Sequence, residues 1–240
     1  MIVKTKYSNN FSKKTRKNSD IKIIVIHYTG MQSEIASIKK LLDRRHKVSC
    51  HYLISRKGQI IKMVEENKIA WHAGKSKWKN FNNLNKNSIG IELVNKGHEF
   101  GYEKFTKSQI NKLIKLCLTL KRKYKIYNSS IVGHSDIAPL RKKDPGEKFP
   151  WNLLNKKGLG INYKNTKLKS QKLNSRKMRD LFFNNLFKIG YRYLSKKKKS
   201  KKDVFLVKAF QRRFLPNGVT GIIDQKTYKI SHFLAKSINN

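Results

Sequence analysis

Two short apolar runs in this chain each end in a histidine, and the two histidines can meet if a fold lays the runs side by side. The first is Ile21-Lys22-Ile23-Ile24-Val25-Ile26, closed by His27; the second is Ser130-Ile131-Val132-Gly133, closed by His134. Both read as short buried strands. Strand ends support reactive groups well, because the ladder fixes the backbone while the terminal side chain points into a cleft. Asp144 stands ten residues after His134, in Lys143-Asp144-Pro145-Gly146, where a tight turn sets the direction of the carboxylate. Two imidazoles and a carboxylate suit a catalytic zinc whose fourth position is left to water, which implies metal-dependent hydrolysis. A lone histidine in a strand is more often a core or hydrogen-bonding group; the three residues together carry the reading.

The remaining pattern is α/β first and helical second. Residues 1–20 are polar and basic and predict a loose arm. Glu34–His46 carries Ile35, Ile38, Leu41 and Leu42 at helical spacing. His51–Ser55 and Gln59–Val64 flank Arg56-Lys57-Gly58, a hairpin with glycine where positive φ is needed. In Ser88–Val94 the alternation puts Ile89, Ile91 and Leu93 on one face and Gly90, Glu92 and Val94 on the other. Thr106 and Gln109 form a capping box that opens a long helix with the stripe Ile110, Leu113, Cys117, Leu120 and Tyr124. These elements predict an α/β unit over 21–155. Residues 156–175 read as a linker, and 176–240 as a three-helix unit with patterns at Lys177–Ile189, Asp203–Phe214 and Asp224–Lys236. The basic run Lys196–Lys202 reads as an exposed loop.

Charge is lopsided: 56 Lys and Arg against 14 Asp and Glu give a formal +42. Such a chain is drawn to polyanions, less so at high salt. An AT-rich genome would produce the same lysine and asparagine content with no electrostatic purpose. No groove-reading motif accompanies the charge, so no specific nucleic-acid partner is expected. Cys50 and Cys117 are too few for a disulfide framework and read as small buried residues. No apolar run approaches the ~18–20 residues of a membrane span. Neither a signal peptide nor a lipobox cysteine is visible, so the expected location is cytoplasmic, with the envelope reached only by a non-Sec route.

The surroundings of these residues are specific. Ile24-Val25-Ile26-His27-Tyr28-Thr29, Val48-Ser49-Cys50-His51-Tyr52-Leu53-Ile54, Ala70-Trp71-His72-Ala73-Gly74, Asn87-Ser88-Ile89-Gly90-Ile91-Glu92-Leu93 and Gly133–Pro150 follow one another in that order. Together they resemble the zinc-dependent N-acetylmuramoyl-L-alanine amidases of the AmpD/AmiD type, nearest the AmiD branch, relatives of peptidoglycan-recognition proteins. The resemblance implies a central mixed β-sheet flanked by helices. It implies His27, His134 and Asp144 as ligands of one zinc ion, Glu92 as the catalytic glutamate and Lys142 as the catalytic lysine. It also places His51, Trp71 and His72 in family motifs, as groove or supporting residues; for Trp71 and His72 buried packing is an equal alternative. His46, His98 and His232 lack such context and are expected to face solvent.

Val207–Phe214, Val219-Thr220-Gly221-Ile222-Ile223-Asp224 and Thr227 resemble the three-helix peptidoglycan-binding domain, with Asp224 able to cap the last helix through the N–H of Lys226 or Thr227. The implied activity is hydrolysis of the amide joining the lactyl group of N-acetylmuramic acid, 1,6-anhydro or not, to L-alanine of the stem peptide. A non-catalytic peptidoglycan sensor is the alternative. Peptidoglycan or released muropeptides are the implied partners, and a monomer would suffice.

Overall fold

The computed structural model describes residues 2–163, 174–194 and 200–238. Chain order gives β1 (Val3–Thr5), β2 (Phe11–Thr15), β3 (Ile23–Tyr28), α1 (Glu34–Leu42), β4 (Tyr52–Ile54), β5 (Ile60–Lys62), β6 (Lys68–Ala70), β7 (Lys77–Trp78), β8 (Phe81–Asn82) and β9 (Ser88–Leu93). Then come α2 (Lys107–Tyr124), β10 (Ile131–Gly133), α3 (His134–Ile137), α4 (Trp151–Asn155), α5 (Ser175–Ile189), α6 (Asp203–Phe214) and α7 (Gln225–Ser237). Six strands form a mixed sheet in the order β1-β5-β4-β9-β3-β10. β4, β9, β3 and β10 are mutually parallel, while β5 runs antiparallel to β4 and β1 parallel to β5. The two histidine-bearing runs are therefore neighbours, with Gly133 opposite Ile26.

The sheet is buried on both faces, which is why β3 reads as a continuous apolar run. One face sets Ile24, Ile26, Ile89, Ile91 and Leu93 against Ile110, Leu113, Cys117 and Leu120 of α2. That helix opens with the expected capping box, the Thr106 hydroxyl accepting from Gln109 N and the Gln109 side chain accepting from Thr106 N. The other face sets Ile23, Val25 and Val132 against Ile137, Trp78 and the C-terminal helices through Phe182, Leu186, Leu206 and Phe210. The core of α5–α7 is thus continuous with that of the sheet. Asp224 caps α7, its carboxylate accepting from Thr227 N at 2.7 Å.

Residues 1–20 differ from the expected loose arm. β1 adds to the edge of the main sheet, and β2 pairs with β6. Polar side chains fasten the segment: Asn10 Nδ2 donates to the carbonyls of Leu41, Asp43 and Val48, and Arg16 Nη1 to those of Asn85, Lys86 and Ser88. The helix expected to His46 stops at Leu42, because the Asp43 carboxylate accepts from Arg45 N and starts a separate 3-10 turn. Ile35, placed in the apolar stripe by spacing, is 68% exposed. Of the expected linker, 164–173 lie outside the described residues, whereas Leu159 is buried in the main core. Most of the basic run, 196–199, also lies outside them.

Candidate metal centre

His27 leaves the C-terminal end of β3 on the face shared with Ile23 and Val25. In the parallel ladder its partner is Glu92 of β9, so the two side chains stand side by side on one face. Gly90, one pleat earlier, leaves room for His72: a Cβ there would lie 2.4 Å from the His72 ring. β10 delivers His134 at the first position of α3. The Asp144 carbonyl accepts from Ser135 N at 2.8 Å, which brings the acidic loop against that turn.

The three candidate ligands converge. His27 Nδ1 and His134 Nδ1 are 2.9 Å apart, and each lies 3.0 Å from Asp144 Oδ2. All three residues are buried. Donors 2.0–2.1 Å from a tetrahedral ion would stand about 3.3 Å apart, close to what is found. The outer hydrogen bonds are consistent with one set of ring tautomers. Ser88 Oγ donates to the Leu84 carbonyl, so it accepts from His72 Nε2 at 3.2 Å. His72 Nδ1 is then bare and accepts from His27 Nε2 at 3.1 Å. His134 Nε2 faces the Ala73 carbonyl at 3.2 Å, and a carbonyl can only accept. Both Nδ1 atoms therefore keep lone pairs, aimed at a carboxylate and at each other. A cation reconciles three such donors, and the residues present fit a zinc ion.

Burial pushes the His27 pKa down to about 4, with the neighbouring His134 adding to the effect, so the ring is neutral at pH 7. Glu92 moves the other way. Burial first, and the negative charge of Asp144 second, raise its pKa well above the usual range, against the opposing charges of Lys142 and Lys40. Its Oε2 is buried with no hydrogen-bond partner among the described residues. A carboxyl with a raised proton affinity beside a candidate metal is suited to accept and return a proton.

These groups floor a cavity of about 300 Å³, walled by Thr29, Met31, Lys40, His98, Glu99, Lys142 and Lys143 among others. Arg141 also lines the cavity; its Nη2 donates to the carbonyls of Ala73 and Lys75 and stands 3.4 Å from His134 Nε2. Lys142 reaches both His27 and Glu92 electrostatically. His72 is a cavity-wall residue that supports His27. His51 is not: it is fully buried behind the site, with Gly90 N donating to its Nδ1 and Arg16 against its Nε2, and its pKa falls to about 3 through burial and then the Arg16 charge. Trp71 is partly exposed, anchored by Ser49 through its backbone N–H, and is outside the cavity wall.

His98, expected in solvent, is half-buried at the rim. Its Nδ1 meets Tyr28 Oη at 2.8 Å, its Nε2 meets Glu147 at 3.1 Å, and its ring stacks on Tyr102 at 4.4 Å. No spacing rule joins residues 28, 98, 102 and 147, so sequence reasoning missed the cluster. Of the other two histidines expected in solvent, His46 is half exposed, while His232 is partly covered and stacks on Tyr228.

Residues 17–147 match the family model described as N-acetylmuramoyl-L-alanine amidase. The chain is 40% identical over 152 residues to N-acetylmuramoyl-L-alanine amidase AmiD of Escherichia coli strain K12, covering 58% of this chain and 54% of that protein. It is 36% identical over 150 residues to 1,6-anhydro-N-acetylmuramyl-L-alanine amidase AmpD of Haemophilus influenzae, covering 55% and 79%. The chain spans about half the length of the curated AmiD it matches. Among solved structures, AmpDH3 of Pseudomonas aeruginosa superposes with a TM-score of 0.80 at 30% identity, over 97% of this chain and 98% of that one. AmiD of E. coli in complex with anhydro-N-acetylmuramic acid-L-Ala-D-gamma-Glu-L-Lys superposes with a TM-score of 0.79 at 30% identity, over 94% and 92%. Coverage this wide takes in the C-terminal helices as well as the sheet. By sequence over more than half its length, and by fold over nearly all of it, the chain belongs to the N-acetylmuramoyl-L-alanine amidase family.

Proposed function

We propose that this chain is a zinc-dependent N-acetylmuramoyl-L-alanine amidase, hydrolysing the amide between the lactyl group of N-acetylmuramic acid and L-alanine of the stem peptide. The observation that carries the reading is the convergence of three lone-pair donors within 3.0 Å of one another beside a proton-affine Glu92. Zinc held by His27 Nδ1, His134 Nδ1 and Asp144 would supply a Lewis acid with one open position, able to acidify water and polarise a carbonyl. Glu92 takes the proton of the attacking water and returns it to the departing alanine nitrogen. Lys142 sets positive charge where the carbonyl oxygen turns negative.

The substrate class follows from the relatives: the AmiD and AmpDH3 complexes hold anhydromuramic peptides. We extend that class to this chain, acting as a monomer, with 21–155 as the catalytic unit and 176–240 as a helical unit resembling peptidoglycan-binding domains. Among the described residues no helix is long and apolar enough to cross a membrane. Digestion of soluble muropeptides and of whole sacculi, analysed by mass spectrometry, tests the reading and separates a recycling role from an envelope role. Peptides with a new free L-alanine N-terminus are expected, lost with a chelator and restored by zinc. Glycan or peptide-bond cleavage would contradict it.

A further inference from the structure

His134 sits on α3, a single turn of helix (His134–Ile137) that is too short to hold itself in place. Its support comes from residues far along the chain. The carboxylate of Asp136, within that turn, accepts from Gly133 N at 2.8 Å through Oδ2 and from the Tyr191 hydroxyl at 2.6 Å through Oδ1. Arg213 of α6 donates through Nη1 to the same Oδ2 and through Nη2 to the Ile131 carbonyl of β10 at 3.0 Å. Its guanidinium lies 4.1 Å over the Trp151 ring. The side chains of Arg213 and Asp136 are 3% and 1% exposed. One guanidinium thus grips both sides of the β10–α3 junction from which the candidate ligand projects. A buried ion pair is weak evidence for stability, because desolvation offsets most of its attraction; fixing geometry is the better account of one in this place.

We propose that Arg213, supplied by the C-terminal helices, is a positioning residue for the metal ligand His134, acting through Asp136 and the Ile131–Gly133 strand. The C-terminal helices are on this account part of the metal site's scaffold, whatever else they bind. The inference rests on the metal-site reading above.

The test compares full-length wild type with Arg213→Met, Arg213→Lys and Gln211→Leu. Gln211 is buried in α6 and ties it to the 220–227 turn through Thr220, Gly221, Ile222 and Thr227, so its loss loosens the helical unit without touching the β10–α3 junction. Zinc affinity is measured by chelator competition, the visible spectrum after cobalt substitution, and the melting temperature alongside. Arg213→Met should lower zinc affinity about tenfold or more and alter the cobalt spectrum. Gln211→Leu should lower the melting temperature with affinity held within twofold. If Arg213→Met does not fold, Arg213→Lys decides: it can still pair with Asp136 but gives up the Ile131 bond, so reduced affinity supports the proposal and wild-type affinity overturns it. Wild-type affinity and spectrum in Arg213→Met overturn the positioning role alone and leave the metal site standing. A wild-type protein that binds no zinc overturns the metal reading and this inference with it.

Discussion

The two faces of β3 and β9 are built to opposite rules. Toward α2 the pleats before Tyr28 are apolar: Ile24, Ile26, Ile89, Ile91 and Leu93 meet the α2 stripe. Toward the cavity the same strands carry His27, Gly90 and Glu92, all buried, with one carboxylate oxygen left without a partner among the described residues. The first face gains stability from area removed from water. The second holds polar groups whose burial is unfavourable until a cation and a substrate arrive. Mutations should divide along the same line: changes facing α2 should cost folding, and changes facing the cavity should cost chemistry.

Glu92→Gln should sharpen that contrast most. Release of L-alanine-terminated peptides should fall about 10²–10⁴-fold, while the melting temperature stays level or rises because a buried acid has been removed. A loss of stability on that scale would break the comparison. Lys142→Met comes next, with kcat reduced about 10²–10³-fold and zinc content unchanged, as for removal of a group that stabilises an oxyanion. On the opposite face, Leu113→Ala should cost about 2–5 kcal/mol in urea unfolding, with kcat per folded molecule unaltered.

The smallest effect is a pH slope. His51 is neutral in the fold, with its pKa near 3 against about 6.5 in the unfolded chain. Its stabilising contribution is therefore complete above about pH 6.5 and is lost as pH falls toward 3. Unfolding free energy should fall by about 1.6 kcal/mol in total between pH 6.5 and 5 for this group, the slope rising from about half a proton to about one, and His51→Gln should flatten it by that much. An unchanged slope would mean that His51 is not held neutral.

What could be read without coordinates follows the same division. The face toward α2 is periodic, and α2 declares its start with Thr106 and Gln109, so strand, helix and packing partner were all legible. The convergence of three candidate donors was legible because His27 and His134 close apolar runs and Asp144 sits in an Asp-Pro-Gly turn. Residues 3–16 were not: they join the fold through edge pairing and through Asn10 and Arg16 bonding to carbonyls, which leaves no apolar period. For His51 the sequence left groove and supporting roles open, because a motif histidine that holds its neighbours looks, in sequence, like one that faces a ligand; burial behind the site, with Gly90 N donating to it, fits the supporting role. The boundary before α5 was drawn from composition. Polar connecting residues say nothing of the shared core formed by Val25, Val132, Trp78, Phe182 and Phe210, or of Arg213 reaching Asp136.

On the proposed mechanism, His27, His134 and Asp144 hold one metal ion on which hydrolysis depends. The direct measurement is the metal content of purified, active protein, taken in parallel for wild type and Asp144→Ala. One zinc per active wild-type chain, with metal and activity both absent from Asp144→Ala, is the predicted result. Full amidase activity in protein free of metal would contradict it.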